Sequence, residues 1–207
     1  MKPILLFWKQ KKREKWIDSF IEWCIYYFQK IKLIKTYGTQ NIERKKEQAK
    51  IVHVGIYFPD IDKTYDMHGE YKFPFTFGGG ARERNGFVSA DFYVPFNGIA
   101  QDKYEDIKQL FLADVLAKVK YNFPQLIILI FVFLFHKIFL LINWIPFEND
   151  VFGERCISWI EVIFKKADID LLPGHEEGNA VGELLFSEYL EPKQYYEKSK
   201  VLEYVNG

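Results

Sequence analysis

Apolar and polar residues alternate along two neighbouring stretches of the chain, residues 51–58 and 63–71. The Pro-Asp-Ile-Asp between them is typical of a turn, so the pattern predicts a β-hairpin. A symmetric turn would place His53 directly opposite His68, with Cβ atoms roughly 5 Å apart on one face of the sheet. Two of the chain's four histidines would then meet, which favours proton transfer or metal binding over a structural role.

Apolar residues recur at helical spacing over residues 14–35, which predicts an amphipathic helix that ends near Gly38. A Lys/Arg cluster at residues 9–13 precedes it. We therefore predict that residues 1–40 form a basic, aromatic, helical segment. This segment either packs on the body of the protein or lies on a membrane surface.

The remaining pattern predicts a mixture of strands and helices. Residues 87–96 read as a strand after an Asn-Gly turn, and residues 102–121 read as a helix. The run Gly78-Gly79-Gly80 lacks the Lys-Ser/Thr of a phosphate-binding loop, so we predict a flexible loop there. A further helix is predicted from Cys156 to about Lys166.

A long apolar insert at residues 124–146 is the most hydrophobic part of the chain. It is interrupted by His136-Lys137 and ends at Pro146. A full membrane span would bury Lys137 near its centre, at a cost of roughly 3 kcal/mol. Three interpretations stay open: shallow contact with a membrane, a helix buried inside the protein, or a full span.

Composition narrows the class of protein. With 207 residues, 49% of them apolar, the chain can enclose a proper core, which excludes disorder. Residues 1–50 carry 13 Lys and Arg against 5 Asp and Glu, whereas the remainder carries 15 against 23. The basic N-terminal part predicts contact with an anionic surface, and no motif supports nucleic acid. The two cysteines cannot form a disulfide framework, and no signal peptide is convincing.

The predicted helix start at Cys156 suggests a nucleophile, since a helix N-terminus stabilises a thiolate. Such a thiolate needs a base, and the base needs a third group to fix its tautomer. We predict that His53 is the base and His68 the third group. Asp66 and Glu70 lie on the same strand face and are the alternatives to His68. The backbone N–H of Cys156 is the predicted oxyanion donor.

The same side chains could in principle bind zinc. No close-spaced pair of ligands is present, however, so we expect neither a metal nor a cofactor. The nucleophile-and-base interpretation is therefore preferred.

The run His53-Val-Gly-Ile-Tyr, followed far downstream by Cys156-Ile-Ser-Trp and by Ala167-Asp-Ile-Asp-Leu, resembles the circularly permuted NlpC-type papain-like hydrolases. These include the YiiX/YaeF-like amidases and the lecithin:retinol acyltransferase-like enzymes. In this group the His strand precedes the Cys helix, and a polar His or Glu follows on the next strand, where His68 stands. The resemblance implies an α+β, permuted papain-like domain over residues 41–207, with an antiparallel sheet packed on the Cys-bearing helix and the apolar insert within it.

The resemblance also implies an activity. We expect a thiol hydrolase or acyltransferase that acts on an amide or ester carbonyl, with a peptidoglycan-type amide or a lipid acyl group as substrate. The alternative is a catalytically inactive papain-like protein with a structural or membrane-associated role. That alternative predicts that Cys156 and His53 are too far apart for a hydrogen bond. The sequence leaves the localisation and the oligomeric state open.

Overall fold

The computed structural model describes residues 2–11, 16–72, 76–121, 156–173 and 181–207. These residues form an α+β fold with five antiparallel strands, five α-helices and one 3-10 helix at Val181–Phe186. The strands are β1 Ile4–Lys9, β2 Ile51–Phe58, β3 Lys63–Lys72, β4 Thr76–Asn85 and β5 Phe92–Pro95. The α-helices are α1 Trp16–Tyr37, α2 Ile42–Ala49, α3 Gln101–Leu116, α4 Cys156–Lys166 and α5 Lys198–Asn206.

The five strands form one sheet in the order β4-β3-β2-β1-β5. The first strand therefore lies inside the sheet, between β2 and β5, and Ile4 to Phe7 are fully buried. The prediction that residues 1–40 are helical is wrong for this part. A short unbroken apolar run suits a strand that is covered on both faces, and β1 is covered in this way.

The helical part of that prediction is confirmed by α1, which ends at Tyr37. Gly38 follows with a φ of 71°, the left-handed conformation that often terminates a helix. The Nε2 of Gln29 donates a hydrogen bond to the carbonyl of Ile51 at 2.9 Å. This contact attaches α1 to the first residue of β2.

The predicted hairpin is confirmed by β2 and β3, which are joined by the turn at residues 59–62. Their pairing runs from Phe58 opposite Lys63 to Gly55 opposite Asp66, which is the predicted register. Beyond Gly55, β2 continues alongside β1, with His53 opposite Trp8, and β3 continues alongside β4. The two strands of the hairpin thus diverge before they reach the two histidines.

The glycine run at residues 78–80 is not a loop, contrary to the prediction, because it lies within β4. Gly80 pairs with His68 of β3 on one side and forms a bridge to Lys120 on the other. A Cβ atom at Gly80 would lie 2.2 Å from the carbonyl oxygen of Val119. Glycine is needed here so that the segment after α3 can approach the strand closely.

The helices α3 and α4 cover one face of the sheet. The indole of Trp159 on α4 donates a hydrogen bond of 2.8 Å to Asp114 on α3. Trp159 itself is fully buried, and it packs edge-on against Phe111. The predicted helix over 102–121 is confirmed in part, since α3 ends at Leu116, and the strand predicted over 87–96 is reduced to β5.

The apolar insert at residues 124–146 lies outside the described residues, so the three interpretations of it stay open. Within the described ranges, no helix combines the length and the apolar character that a membrane crossing requires. Exposed apolar side chains do occur on α1, where Trp23, Tyr27 and Ile31 are 42%, 37% and 51% exposed.

Candidate active site

His53 lies near the start of β2 and is half-buried, with 24% of its side chain exposed. Trp8 stands opposite it on β1, and the two ring centroids are 5.0 Å apart. The indole N–H of Trp8 donates to the carbonyl of Ser89 at 2.9 Å, which fixes the orientation of the ring. One side of the imidazole is therefore covered by a fixed aromatic wall.

Asp66 on β3 is the carboxylate that contacts His53. Their Nε2 and Oδ2 atoms are 3.1 Å apart. Because an ionised carboxylate only accepts hydrogen bonds, Nε2 carries the proton and donates it. Asp66 is fully buried and stands opposite Gly55, so it is the diagonal neighbour of His53 across the hairpin.

Gly55 makes this diagonal contact possible. A Cβ atom at this position would lie 3.1 Å from the Cβ of Asp66 and 3.3 Å from the ring of Trp8. Both distances are shorter than ordinary van der Waals contacts. The glycine of the His-x-Gly pattern thus leaves room for the acidic residue of the next strand and for the aromatic wall.

Two arginines of β4 also bind Asp66. Arg82 is directly opposite it and donates from Nε to Oδ1 at 2.6 Å and from Nη2 to Oδ2 at 2.8 Å. Arg84 donates from Nη2 to Oδ2 at 2.6 Å. Burial alone would raise the pKa of the Asp66 carboxyl, but the hydrogen bonds from Arg82 and His53 hold it well below its usual range. Asp66 is therefore charged at any physiological pH.

Cys156 is the first residue of α4 and is 4% exposed. Its side chain lies close enough to His53 to affect the pKa of the imidazole. Burial lowers the pKa of His53, but the hydrogen bonds that His53 donates to Asp66 and Cys156 and the negative charges of these two groups outweigh it and raise that pKa to about 9. At neutral pH, His53 is therefore an imidazolium in contact with both groups.

The structure brings together Cys156, His53 and Asp66, and it does not pair His53 with His68. The hairpin strands diverge after Gly55. His68 therefore lies beyond the stretch that pairs with β2, and it pairs with Gly80 of β4. The contact predicted for His68 is thus made by Asp66, which was one of the two alternatives. Glu70, the other alternative, lies further along β3 opposite Gly78, and its side chain is outside the described residues.

Sequence reasoning missed three residues of this site: Trp8, Arg82 and Arg84. A signal was present for the arginines, because Arg82 and Arg84 alternate with Glu83 at the two-residue period of a strand. The glycines that precede the arginines look like a loop, and this hides the strand pattern. Trp8 gave no local signal, since its role depends on the pairing of β1 with a distant strand.

Family models, curated proteins and solved structures give no match to this chain. The resemblance to permuted papain-like hydrolases thus stays a prediction from the residues. The site must therefore be judged on its own geometry. Among the described residues, no group of three or more His, Cys, Asp and Glu side chains could hold a metal ion.

Proposed function

We propose that this protein is a thiol hydrolase or acyltransferase that acts on an amide or ester carbonyl. Cys156 is the nucleophile, His53 the general base and acid, and Asp66 the group that orients His53. The observation that carries the proposal is the position of His53, which is hydrogen-bonded to the buried Asp66 and interacts with Cys156 at the start of α4. Nucleophile, base and orienting group in this relation are the parts that covalent acyl transfer needs.

The geometry supports a specific division of labour on the imidazole ring. Nε2 is held by Asp66, which leaves Nδ1 as the nitrogen for the thiol. Transfer of the thiol proton to Nδ1 gives a thiolate–imidazolium pair. The raised pKa of His53 favours this pair at neutral pH.

The reaction then follows from the charges. The thiolate of Cys156 attacks the carbonyl carbon, and the resulting oxyanion accepts a hydrogen bond from the backbone N–H of Cys156. His53 gives its proton to the departing amine or alcohol, which leaves a thioester on Cys156. Water or another acceptor then attacks the thioester while His53 takes its proton, and the thiol is regenerated.

The arrangement of the chain also supports a permuted papain-like fold. The His strand precedes the Cys helix, and α4 packs on β2 and β3. A strand ahead of the His strand is usual in that group, and β1 occupies the neighbouring position in the sheet. Here α1 and α2 are inserted between these two strands.

The non-catalytic alternative is the weaker candidate. It requires that Cys156 and His53 be separated, whereas Cys156 lies close enough to His53 to raise the pKa of the imidazole. We therefore favour the enzyme.

Alkylation by iodoacetamide at pH 6 tests the proposal. A cysteine with an ordinary pKa of about 8.5 is well under 1% thiolate at this pH, whereas an ion-paired Cys156 reacts quickly. Cys24 is a control within the chain, because it is as buried as Cys156, but burial is the one cause that acts on its pKa and raises it. We expect labelling on Cys156, no labelling in Cys156→Ala, and labelling at least about tenfold slower in His53→Ala.

The outcome that contradicts the proposal is equal, slow labelling of Cys156 with and without His53. Peptide mapping of the alkylated sites separates the two cysteines. The unfolded chain, in which both thiols are free, gives the reference rate.

We also propose that the substrate is presented at an anionic lipid surface. The support is the basic N-terminal part of the sequence, the apolar segment 124–146, and the exposed Trp23, Tyr27 and Ile31 on α1. Flotation with anionic vesicles tests this, with neutral phosphatidylcholine vesicles as the control. Failure to float with the anionic vesicles would contradict it.

A further inference from the structure

The two arginines that bind Asp66 carry more positive charge than Asp66 neutralises. The thiolate of Cys156 balances the imidazolium of His53, and Asp66 balances one guanidinium. Among these five groups, the positive charge of the other guanidinium has no counter-charge. Both arginines are about one-third exposed, at 36% for Arg82 and 32% for Arg84.

The hydrogen bonds show which arginine has donors to spare. Arg82 uses Nε and Nη2 in a two-pronged bond to Asp66. Arg84 uses only Nη2, and within the described residues its buried Nε has no hydrogen-bond partner. Arg82 thus holds the carboxylate of Asp66 with two hydrogen bonds, whereas the guanidinium of Arg84 uses one of its donors for Asp66.

Arg84 is also close to the imidazole of His53. Its Nη2 and the Nε2 of His53 both contact the same oxygen, Oδ2 of Asp66, at 2.6 and 3.1 Å. Two atoms that share one acceptor in this way lie within roughly 6 Å of each other. Cys156 stands on the Nδ1 side of the same ring, so the imidazole separates the thiolate from Arg84. A substrate whose carbonyl is at Cys156 therefore reaches Arg84 with a group several bonds away.

We propose that Arg84, held in place by Asp66 and Arg82, binds an anionic group of the substrate, a carboxylate or a phosphate. This inference rests on the proposed function and narrows its substrate class to acyl compounds that carry a negative charge several bonds from the scissile bond. A guanidinium suits such a group, because its planar donors match carboxylate and phosphate oxygens. The buried Asp66 fixes the guanidinium in advance, so little side-chain entropy is lost on binding.

Three alkylating probes of similar size test the proposal: N-iodoacetylglycinamide, N-iodoacetylglycine and N-iodoacetyl-aminomethylphosphonate. They are neutral, a carboxylate and a phosphonate, and all react with Cys156 through the same iodoacetyl group. The measured quantity is the rate of each anionic probe divided by the rate of the neutral probe. This ratio cancels any change in the reactivity of the thiolate itself.

We expect Arg84→Gln to lower the ratio roughly tenfold, the size of one charge interaction at this distance in a partly screened site. Arg84→Lys keeps the charge and should retain most of the ratio. The imidazolium of His53 attracts anionic probes in every variant, so the change between variants reports on Arg84. Arg44→Gln on α2, where the guanidinium covers the ring of Phe186, is the matched control and should leave the ratio unchanged.

Salt gives a second measurement, and Arg84→Lys guards against a variant that simply fails to fold. As the ionic strength rises from 0.01 to 0.5 M, the ratio should fall more steeply in the wild-type protein than in Arg84→Gln, because only the wild-type protein attracts the anion through Arg84 as well as through His53. A larger drop for the phosphonate or for the carboxylate in Arg84→Gln identifies the preferred anion. Ratios that are equal in the wild-type protein and Arg84→Gln overturn the anion site alone. If the neutral probe fails to label Cys156, the proposed function falls, and this inference falls with it.

Discussion

His53 and Asp66 are diagonal neighbours on β2 and β3, joined by a hydrogen bond of 3.1 Å between Nε2 and Oδ2. The carboxylate is fully buried, and the arginines beside it keep it charged. An imidazole next to a permanent negative charge holds its proton more tightly than an imidazole next to a second imidazole. Asp66 in this position therefore helps, together with Cys156, to make His53 a cation at neutral pH.

Replacing Asp66 with Asn should lower the pKa of His53 from about 9, because the negative charge and the charge-assisted hydrogen bond are lost. Titration of the ring by NMR measures this pKa, and only four histidines need assignment. His68→Asn is the matched control and should leave the pKa of His53 unchanged. A larger shift in His68→Asn than in Asp66→Asn would restore His68 as the third group.

The hairpin could be predicted from the sequence because its determinants are local. The alternation of Ile51 to Phe58 and the Pro-Asp-Ile-Asp turn together define the register, and the observed pairs follow it as far as Gly55 and Asp66. Which residue contacts His53 could not be predicted in this way. It depends on the divergence of the hairpin strands, which β1 and β4 impose from distant parts of the chain.

The two wrong assignments have a related cause. The run Ile4 to Trp8 is too short to be identified as a strand from its pattern alone. It forms a strand because it pairs with β2, more than forty residues away. The glycines before Arg82 look like a flexible turn, yet Gly80 is needed because the backbone of Val119 passes close to it. Glycine has the same local signature in both roles, so only the tertiary contact distinguishes them.

Gly55→Ala should separate Asp66 from His53. The new methyl group would press on the carbonyl of Tyr65, on the Cβ of Asp66 and on Trp8. We expect a loss of about 1–3 kcal/mol in the free energy of unfolding, measured in urea, and a lowered pKa of His53. Gly78→Ala is the matched control, because nothing lies within 4 Å of the added Cβ, and it should change neither quantity appreciably.

Lys45→Met should destabilise the protein although it lies outside the site. Lys45 is nearly buried. Its ammonium group donates to three backbone carbonyls at and just after the end of α1, those of Tyr37, Gly38 and Gln40, at 2.8, 2.6 and 2.5 Å. Its removal leaves these carbonyls without their donor, so we expect a loss of about 1–3 kcal/mol in urea unfolding. The neighbouring Lys46 forms only an exposed pair with Glu43, and Lys46→Met should cost less than about 0.5 kcal/mol. Equal losses in the two variants would contradict this role for Lys45.

In a Cys156→Ala background, the free energy of unfolding should fall as the pH rises above neutrality, and His53 should account for part of the fall. Cys156 must be absent from this measurement, because its thiolate forms beside His53 and the thiol proton that it loses on folding offsets the proton that His53 gains. Asp66 still raises the pKa of His53 above the 6.5 of the unfolded chain. The stabilisation from His53 is therefore complete below about pH 6.5 and is lost as the pH passes through the pKa of the folded state, by at most about 3 kcal/mol.

Urea unfolding of Cys156→Ala and of Cys156→Ala/His53→Gln at pH 6 and pH 9.5 measures this effect, since the other groups titrate in both proteins and largely cancel in the difference. The gap between the two proteins should shrink at the higher pH. Parallel losses of stability in the two proteins would show that the folded state does not hold this proton.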